Sequence, residues 1–456
     1  MVYEIFQDAC IAGLFLIIGQ ILRSKITFFQ KFFIPASLIA GILAFICGQQ
    51  VLGILQFSDD VGDYAGILIV IVFASLGWYG INFSKGSGER IGSLLMYSCA
   101  MFLIQVGPPI LLSIFLLSKL HPGLSDGFGL LLVSGFYGGH GTAAAIGSTF
   151  ARLGFEEATD IAMTFATIGI LTAVFGGIYH IKRGIKKGWT CYVNDYESLD
   201  GYMRTGLVDK KNRTSIGDMT VHTISMDPLA WHLALLLVPS MLGIWIADWI
   251  DSLIGIYFPD FMFAFLFALL FWYLFKPMKL ESYVDTRIME RIAGVATDFI
   301  VFFGVANIKI PVIVKYAVPL ALMTLFGWIA VHLTVTYFGP RMNKESWFER
   351  SMFTYGYSTG VYAMGFMLLR IVDPDNKSLT LQDTAVIETP FTFLDFLVWG
   401  ICPTMLMSGQ GVLIGTIFTV AFIAFLVLAR VFKWWYKEPL SERKPVDFDA
   451  AVGKHE

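Results

Sequence analysis

Long apolar stretches alternate with short polar joints along most of the chain. About 20 apolar residues in a helix are long enough to cross the hydrocarbon core of a membrane. A β-barrel would instead give short segments of alternating polarity. We therefore predict an all-α polytopic membrane protein. Its eleven expected spans lie at about 5–22, 33–55, 64–83, 91–117, 159–181, 229–254, 261–276, 292–310, 314–337, 384–405 and 411–432.

The charge of the joints predicts the orientation of these spans. Basic residues concentrate on the cytoplasmic side of a membrane protein. The joints at 23–31, 84–90 and 182–226 are basic, whereas 56–63 holds three aspartates and no base. We therefore expect the N-terminus outside and the basic joints inside, with the C-terminal tail in the cytoplasm.

Two further apolar, glycine-rich stretches, 127–151 and 351–369, do not fit as simple crossings. With this orientation, span 91–117 ends outside and span 159–181 begins outside, so 127–151 must return to its own side. By the same argument, 351–369 in the second half must return to the side of the membrane from which it entered. Irregular backbone at membrane depth is tolerated only where it lines a cavity or is buried in protein. Both stretches are therefore predicted re-entrant hairpins that form walls of a substrate site.

The two predicted hairpins resemble each other. FYGGHGTAAAIGSTFAR (136–152) aligns with TYGYSTGVYAMGFMLLR (354–370) without gaps, and the spans that follow also align. Because the two halves begin on opposite sides of the membrane, this predicts inverted repeats, a pattern typical of secondary transporters. The expected parts are a first repeat at 1–181, a cytoplasmic linker at 182–226, a second repeat at 227–405, an additional span at 406–432 and a cytoplasmic tail at 433–456.

A resemblance to a known family rests on GGHGT (138–142), followed by ATDIAMTFATIGILTAVFGG (158–177). The chain resembles the bacterial sodium/glutamate symporter family here, and more weakly at 34–43, 73–78 and 287–298. The resemblance implies an elevator-like mechanism, a homodimer, Na⁺ as coupling ion and glutamate as substrate.

Two departures from the family pattern keep another substrate open. The second hairpin, GYSTGVYAMG (356–365), lacks the expected Gly-Ala-Thr-Pro-Thr, and Asp298 stands where glutamate-transporting relatives carry Asn. The alternative is a Na⁺- or H⁺-coupled transporter of a di- or tricarboxylate or another anionic solute.

The hairpin tips are the expected substrate-binding residues. A broken helix end offers backbone N–H groups and positive dipole character to an anion, and glycine permits close approach. Small residues also let membrane helices pack closely, which is the structural alternative. The candidates are Gly138, Gly139, His140, Gly141, Thr142, Ser358, Thr359 and Gly360.

Oxygen-bearing side chains inside predicted spans are the candidate Na⁺ ligands, because hard cations prefer oxygen and ionisable groups at membrane depth are costly. The alternative for the acids is a protonated carboxyl or a buried pair with a basic residue. The candidates are Thr164, Thr167, Asp298, Glu388 and Asp395.

The composition of the chain and the motifs it lacks argue against several other classes of protein. The 456 residues are 56% hydrophobic and 15% charged, where soluble proteins carry about 25% charged residues. A net charge of −3 gives no indication of nucleic-acid binding, and the five cysteines and seven histidines are dispersed. No nucleotide-binding loop of the GxxxxGK[ST] type occurs.

We therefore predict a Na⁺-coupled symporter for L-glutamate or a related anionic amino acid in the bacterial inner membrane. We expect no catalytic residues and no organic cofactor. A membrane-embedded enzyme and a passive channel are the rival classes, and saturable flux that depends on an ion gradient separates a transporter from both.

Overall fold

The computed structural model describes residues 2–31, 34–49, 51–58, 61, 64–78, 88–192, 205–254, 260–374 and 377–437. A few side chains inside helices, that of Glu388 among them, lie outside the described part. The described residues form helices and connecting segments without a β-strand. The expected all-α class is confirmed.

The helices follow the apolar stretches of the sequence. Those of the first half are α1 Val2–Lys25, α2 Thr27–Lys31, α3 Ala36–Cys47, α4 Tyr64–Gly77, α5 Gly88–Leu103, α6 Gly107–Leu112, α7 Ser118–Leu120, α8 Phe128–Phe136, α9 Gly139–Arg152 and α10 Ala158–Lys186. Those of the second half are α11 Pro228–Ile254, α12 Asp260–Phe275, α13 Thr286–Ala306, α14 Ile310–Lys315, α15 Ala317–Leu333, α16 Gly339–Met342, α17 Trp347–Val372, α18 Thr380–Met405 and α19 Gly411–Val431. Short π-helical turns at Ser113–Leu117, Thr334–Phe338 and Leu406–Gln410 extend α6, α15 and α18.

Six helical stretches among the described residues are long and apolar enough to cross a membrane by length and composition. They are Tyr3–Lys25, Gly88–Leu120, Ala158–Lys186, Pro228–Leu253, Ala317–Met342 and Pro390–Val431. Shorter apolar helices at Ala36–Cys47, Gly66–Gly77 and Asp260–Phe275 pack beside them. This is the architecture of a multi-pass membrane protein.

Helices α8 and α9 form a helical hairpin. The chain turns at Gly139, whose φ of 63° is in the left-handed region. The start of α8 lies beside the end of α9, because a Cβ on Gly127 would overlap the ring of Phe150. The rings of Phe128 and Phe155, on either side of the hairpin, both lie against Tyr316, at centroid distances of 6.2 and 6.4 Å. The hairpin therefore returns to the level at which it began.

Helix α17 also folds back on itself, although its residues are helical from Trp347 to Val372. A Cβ on Gly365 would lie 2.8 Å from the carbonyl oxygen of Phe353, and one on Gly356 would lie 2.6 Å from that of Met364. In a straight helix, residues twelve apart would be separated by roughly 18 Å. The two halves of α17 therefore lie side by side, and the chain reverses between them, near Gly360.

The helices pack as two groups. Helices α1, α3, α4, α11, α12 and α13 form one group. Within it, a glycine of one helix packs on an alanine of another helix in two places. Gly19 of α1 packs on Ala40 of α3, and Gly243 of α11 packs on Ala264 of α12. The second group contains α5, the two folded-back segments, α10, α15, α18 and α19.

The two groups meet along α9 and the start of α10. A Cβ on Gly141 of α9 would lie 3.0 Å from Ile69 of α4. Two ion pairs also join the groups: Arg152 at the end of α9 contacts Asp260 at 3.3 Å, and the Asp160 carboxylate lies 4.0 Å from the Lys309 ammonium.

The predicted span at 33–55 needs correction. The span predicted at 33–55 is a helix of only 12 residues that ends at Cys47, because Gly48 terminates it and the turn after it contains Gly53 at φ 66°. The described start of the predicted tail, 433–437, packs on the protein, since the Tyr436 N–H donates to the Arg341 carbonyl at 2.7 Å. Residues 438–456 of that tail, and 193–204 of the predicted linker, lie outside the described residues.

Candidate functional site

The tip of the first hairpin is built by glycines. Only glycine adopts the φ of Gly139 without a steric cost, and a Cβ on Gly138 would overlap Thr142. Helix α9 begins at Gly139, and the N–H groups of its first turn have no partner within the helix. This local geometry presents backbone donors at the hairpin tip.

His140 connects this tip to α10. Its imidazole is buried, and Nε2 lies 3.1 Å from the Thr167 hydroxyl oxygen. That hydroxyl donates to the Met163 carbonyl at 3.0 Å, so it accepts from the Nε2–H of His140. The second ring nitrogen, Nδ1, is buried without a hydrogen-bond partner among the described residues.

The second folded-back segment brings Ser358, Thr359 and Gly360 to the same place. A Cβ on Gly169 of α10 would lie 2.5 Å from the Thr359 carbonyl oxygen and 3.1 Å from the Cα of Phe136, at the end of α8. Both tips therefore meet at Gly169. This residue lies roughly 17 Å along α10 from its first residue, which is near the middle of a membrane core about 30 Å thick.

Ser358 and Thr359 differ in whether their hydroxyl groups have a hydrogen-bond partner. Thr359 Oγ1 donates to the Tyr355 carbonyl at 2.7 Å within its own helix. Ser358 is fully buried, and its Oγ has no partner among the described residues. Ser358 therefore offers a free hydroxyl at the tip, whereas Thr359 contributes its backbone.

Gln105 is a site residue that the sequence analysis missed. It lies in the break between α5 and α6, is fully buried, and its Nε2 donates to the Ser358 carbonyl at 3.2 Å. Its Oε1 has no partner among the described residues. The signal was present, because a glutamine precedes Gly107 and two prolines inside an otherwise apolar span.

An aromatic cluster closes the space between the tips. The rings of Tyr137 and Tyr357 are 4.3 Å apart, and Phe391 of α18 stacks on Tyr137 at 5.8 Å. Phe102 of α5 packs on Tyr137 at 4.5 Å. These rings keep water from the polar atoms beside them, which strengthens any electrostatic contact made there.

The structure places the remaining candidates of the first tip and its helix around this centre. Gly141 faces α4, and half-buried Thr142 packs on Gly138. Thr164 donates to the Asp160 carbonyl at 2.7 Å, one turn from Thr167. Thr167, a predicted Na⁺ ligand, contacts His140, a predicted substrate residue.

Asp298 and Asp395 lie in different parts of the described structure. The Asp298 carboxylate lies beside Ser37, on the α3–α13 contact of the first group. Asp395 lies near Cys99, where α18 packs on α5. The Glu388 side chain lies outside the described part of the chain. Within that part, no three histidine, cysteine, aspartate or glutamate residues cluster as a metal site.

The fold and the site define a polytopic helical membrane protein with an enclosed polar site between two folded-back helical segments. Comparison with known proteins gives the family: the model of the sodium/glutamate symporter family matches residues 1–342. The chain belongs to the sodium/glutamate symporter family.

Individual relatives match a shorter stretch. The sodium/glutamate symporter of Haemophilus influenzae is 30% identical over 184 residues, which cover 39% of this chain and 42% of the relative. That of Escherichia coli K12 is 31% identical over 174 residues, which cover 37% and 40%. The matched stretch thus spans about two fifths of the length of each relative.

Proposed function

We propose that this protein is a secondary active transporter for Na⁺-coupled symport of L-glutamate or a related anionic amino acid. The observation that carries the proposal is the meeting of two folded-back segments at Gly169, near buried polar atoms that lack partners among the described residues. Family membership supports sodium as the driving ion and glutamate as the substrate.

The first tip suits a carboxylate. The first backbone N–H groups of α9, a 14-residue helix, lack partners within the helix and lie at its positive end. His140 lies in the same turn, with its ring held by Thr167. We assign the substrate carboxylate to this tip, with Gly138 to Thr142 around it, and the rest of the substrate to Ser358, Thr359 and Gly360.

The sodium ligands belong to the same proposal. Thr164 and Thr167 lie on the face of α10 that meets the first hairpin. Asp298, Glu388 and Asp395 are the proposed acidic partners. An oxygen-rich site that forms only when substrate is bound would couple the two solutes.

The two helix groups support an elevator-like mechanism. The group with α1, α3, α4, α11, α12 and α13 would be the static scaffold, and the group with both hairpins would carry the substrate. Repeated contacts such as Gly19 on α3 and Gly243 on α12 support inverted repeats at 1–181 and 227–405. We further propose a homodimer, and re-entrant hairpins at about 127–151 and 351–369.

The proposed orientation places the N-terminus outside and both the 182–226 linker and the tail at 433–456 inside, with 406–432 as an additional span. The membrane is the bacterial inner membrane. In this orientation the first hairpin enters from outside and the second from the cytoplasm.

Uptake of labelled L-glutamate into proteoliposomes, with and without an inward Na⁺ gradient, tests the function. We expect uptake that collapses without Na⁺ and in a Gly139→Val variant that still folds. Absence of glutamate uptake by folded wild-type protein would refute this substrate. A di- or tricarboxylate, which the unusual second hairpin keeps open, would then be tested against Na⁺ and H⁺ gradients.

A further inference from the structure

We propose that Gln105 and Ser358 form a subsite for the ammonium group of an α-amino acid, and that this subsite discriminates amino acids from carboxylates without an amine. The inference deepens the proposed function and rests on its substrate site between the hairpins. It concerns Gln105, which lies outside both hairpins.

The orientation of the Gln105 amide is fixed by its neighbours. The Ser358 carbonyl lies 3.2 Å from one end of the amide, and the Met101 carbonyl lies 3.5 Å from the same end. Carbonyl oxygens only accept hydrogen bonds, so the NH₂ end of the amide must face them. The amide oxygen Oε1 therefore points away from both carbonyls and remains an acceptor.

Two buried polar atoms without partners thus belong to residues that are joined by a hydrogen bond. Gln105 Oε1 and Ser358 Oγ are both enclosed, and neither has a hydrogen-bond partner in the described part of the chain. Buried polar atoms in native proteins nearly always have partners, and an unsatisfied one is costly. Because the amide oxygen only accepts and a serine hydroxyl can accept as well as donate, a ligand group that donates can satisfy both atoms.

An ammonium group matches this pair. It has three donors and no acceptor, so it can reach Oε1 and the Ser358 oxygen together. A carboxylate only accepts hydrogen bonds, so it would leave Gln105 Oε1 without a partner and would be repelled by it. Sites built to hydrogen-bond a substrate group reject analogues that lack it by large factors.

Both ends of an amino acid are then accounted for. In this proposal the carboxylate binds the N–H groups at the start of α9 and the ammonium binds Gln105, near Gly169, where both tips meet. The same geometry disfavours a substrate made only of carboxylates.

Competition in proteoliposomes tests the subsite. Uptake of labelled L-glutamate, driven by Na⁺, is inhibited by unlabelled L-glutamate or by glutarate, which has the same carbon chain without the amine. We expect glutarate to be about tenfold to hundredfold weaker in the wild type, because charge-assisted hydrogen bonds are lost. In Gln105→Met we expect glutamate to weaken by a similar factor while glutarate is unchanged.

A second variant distinguishes loss of the subsite from misfolding. Ser358→Ala removes an oxygen with no described protein partner, so its melting temperature should equal that of the wild type, while its preference for glutamate falls about tenfold. The matched control is Ser134→Ala, a buried serine of α8 whose hydroxyl donates to the Leu131 carbonyl at 2.9 Å. This control should keep the wild-type preference.

The outcomes separate the two proposals. Equal inhibition by glutarate and glutamate in the wild type, or full discrimination in folded Gln105→Met protein, overturns the ammonium subsite. If the wild type shows no glutamate uptake, the glutamate assignment fails. The subsite is then decided by thermal stabilisation with a panel of α-amino acids and their des-amino counterparts. Stabilisation by an amino acid alone, lost in Ser358→Ala, supports the subsite, and any other result overturns it.

Discussion

Single residues at the two tips determine what the site can bind. Gly139 sets the turn of the first hairpin and His140 is held by Thr167, while Ser358 and Gln105 carry acceptors that have no partner in the described part of the chain. None of these residues carries the permanent charge that an ion-pair site would require. In the proposed site, binding relies on oriented dipoles in a buried environment, where such contacts are stronger than in water.

Gly139→Ala tests the tip geometry. An L-residue at φ 63° costs about 1–2 kcal/mol, so we expect a lower melting temperature and a larger loss of transport, since the N–H groups shift. Gly13→Ala is the matched control, because a Cβ there meets nothing within 4 Å. Uptake and thermal unfolding are measured for both, and wild-type behaviour of Gly139→Ala would contradict the assignment.

The reactivity of the Cys191 thiol measures how tightly the segment after α10 packs on the protein. Burial, with the Glu349 carboxylate beside it, raises the pKa of its thiol to about 12, and its N–H donates to Glu349 at 2.6 Å. At neutral pH it should form thiolate about a thousandfold less than an ordinary cysteine. The folded protein should therefore react slowly with a maleimide.

A variant with Cys191 as its single cysteine allows this labelling rate to be measured. Glu349→Gln removes the carboxylate and should lower the pKa, so labelling should accelerate. An unchanged rate would show that access alone protects the thiol. The unfolded protein in detergent gives the upper limit of the rate.

At the scale of elements, paired residues of the two halves serve as charge anchors. Asp160 and Asp383, which align in the sequence repeat, each lie near the start of the helix after a folded-back segment. Asp160 accepts from the Lys309 N–H at 3.3 Å, and Asp383 is bound by Arg90 and Arg350. The alignment thus identified two equivalent anchoring positions outside the substrate site.

Gly365→Ala tests the reversal within α17. Its Cβ would lie 2.8 Å from a backbone oxygen in the facing half, and overpacking of this kind typically costs 1–3 kcal/mol. We expect a lower melting temperature than for Gly294→Ala, whose Cβ meets nothing within 4 Å. Equal stability of the two variants would indicate that the halves of α17 are not in contact.

At the scale of the whole molecule, the contact between the two helix groups decides the mechanism. Gly66 of the proposed scaffold and Ser148 of α9 face each other across this boundary, and a Cβ added to Gly66 would lie 3.4 Å from the Ser148 Cβ. That distance is near the range for a disulfide. A cross-link there would hold the groups in one position.

Gly66→Cys with Ser148→Cys should form a disulfide that blocks uptake, and a reductant should restore it. The control pair, Gly41→Cys with Val305→Cys, joins α3 to α13 inside one group at 2.9 Å and should leave uptake intact. Both are made without the native cysteines. Full transport by the oxidised Gly66–Ser148 pair would exclude relative movement at this contact.

The sequence by itself determined the membrane class and the positions of the helices, because apolar length and charge distribution are local properties of the chain. Its GGHGT motif also located the first tip, since a glycine turn and an exposed helix end need only neighbouring residues. The short form of α3 was missed, because apolar residues continue beyond the glycine that ends the helix.

Only the tertiary structure decided which polar groups share the site. Gln105, Thr167 and Ser358 come from three separate elements, and they are brought together by packing at Gly169. Asp298 and Asp395 lie beside Ser37 and Cys99, respectively, and their role as Na⁺ ligands stays a prediction. Burial and hydrogen-bond satisfaction depend on which helix lies opposite, and a linear pattern does not contain that information.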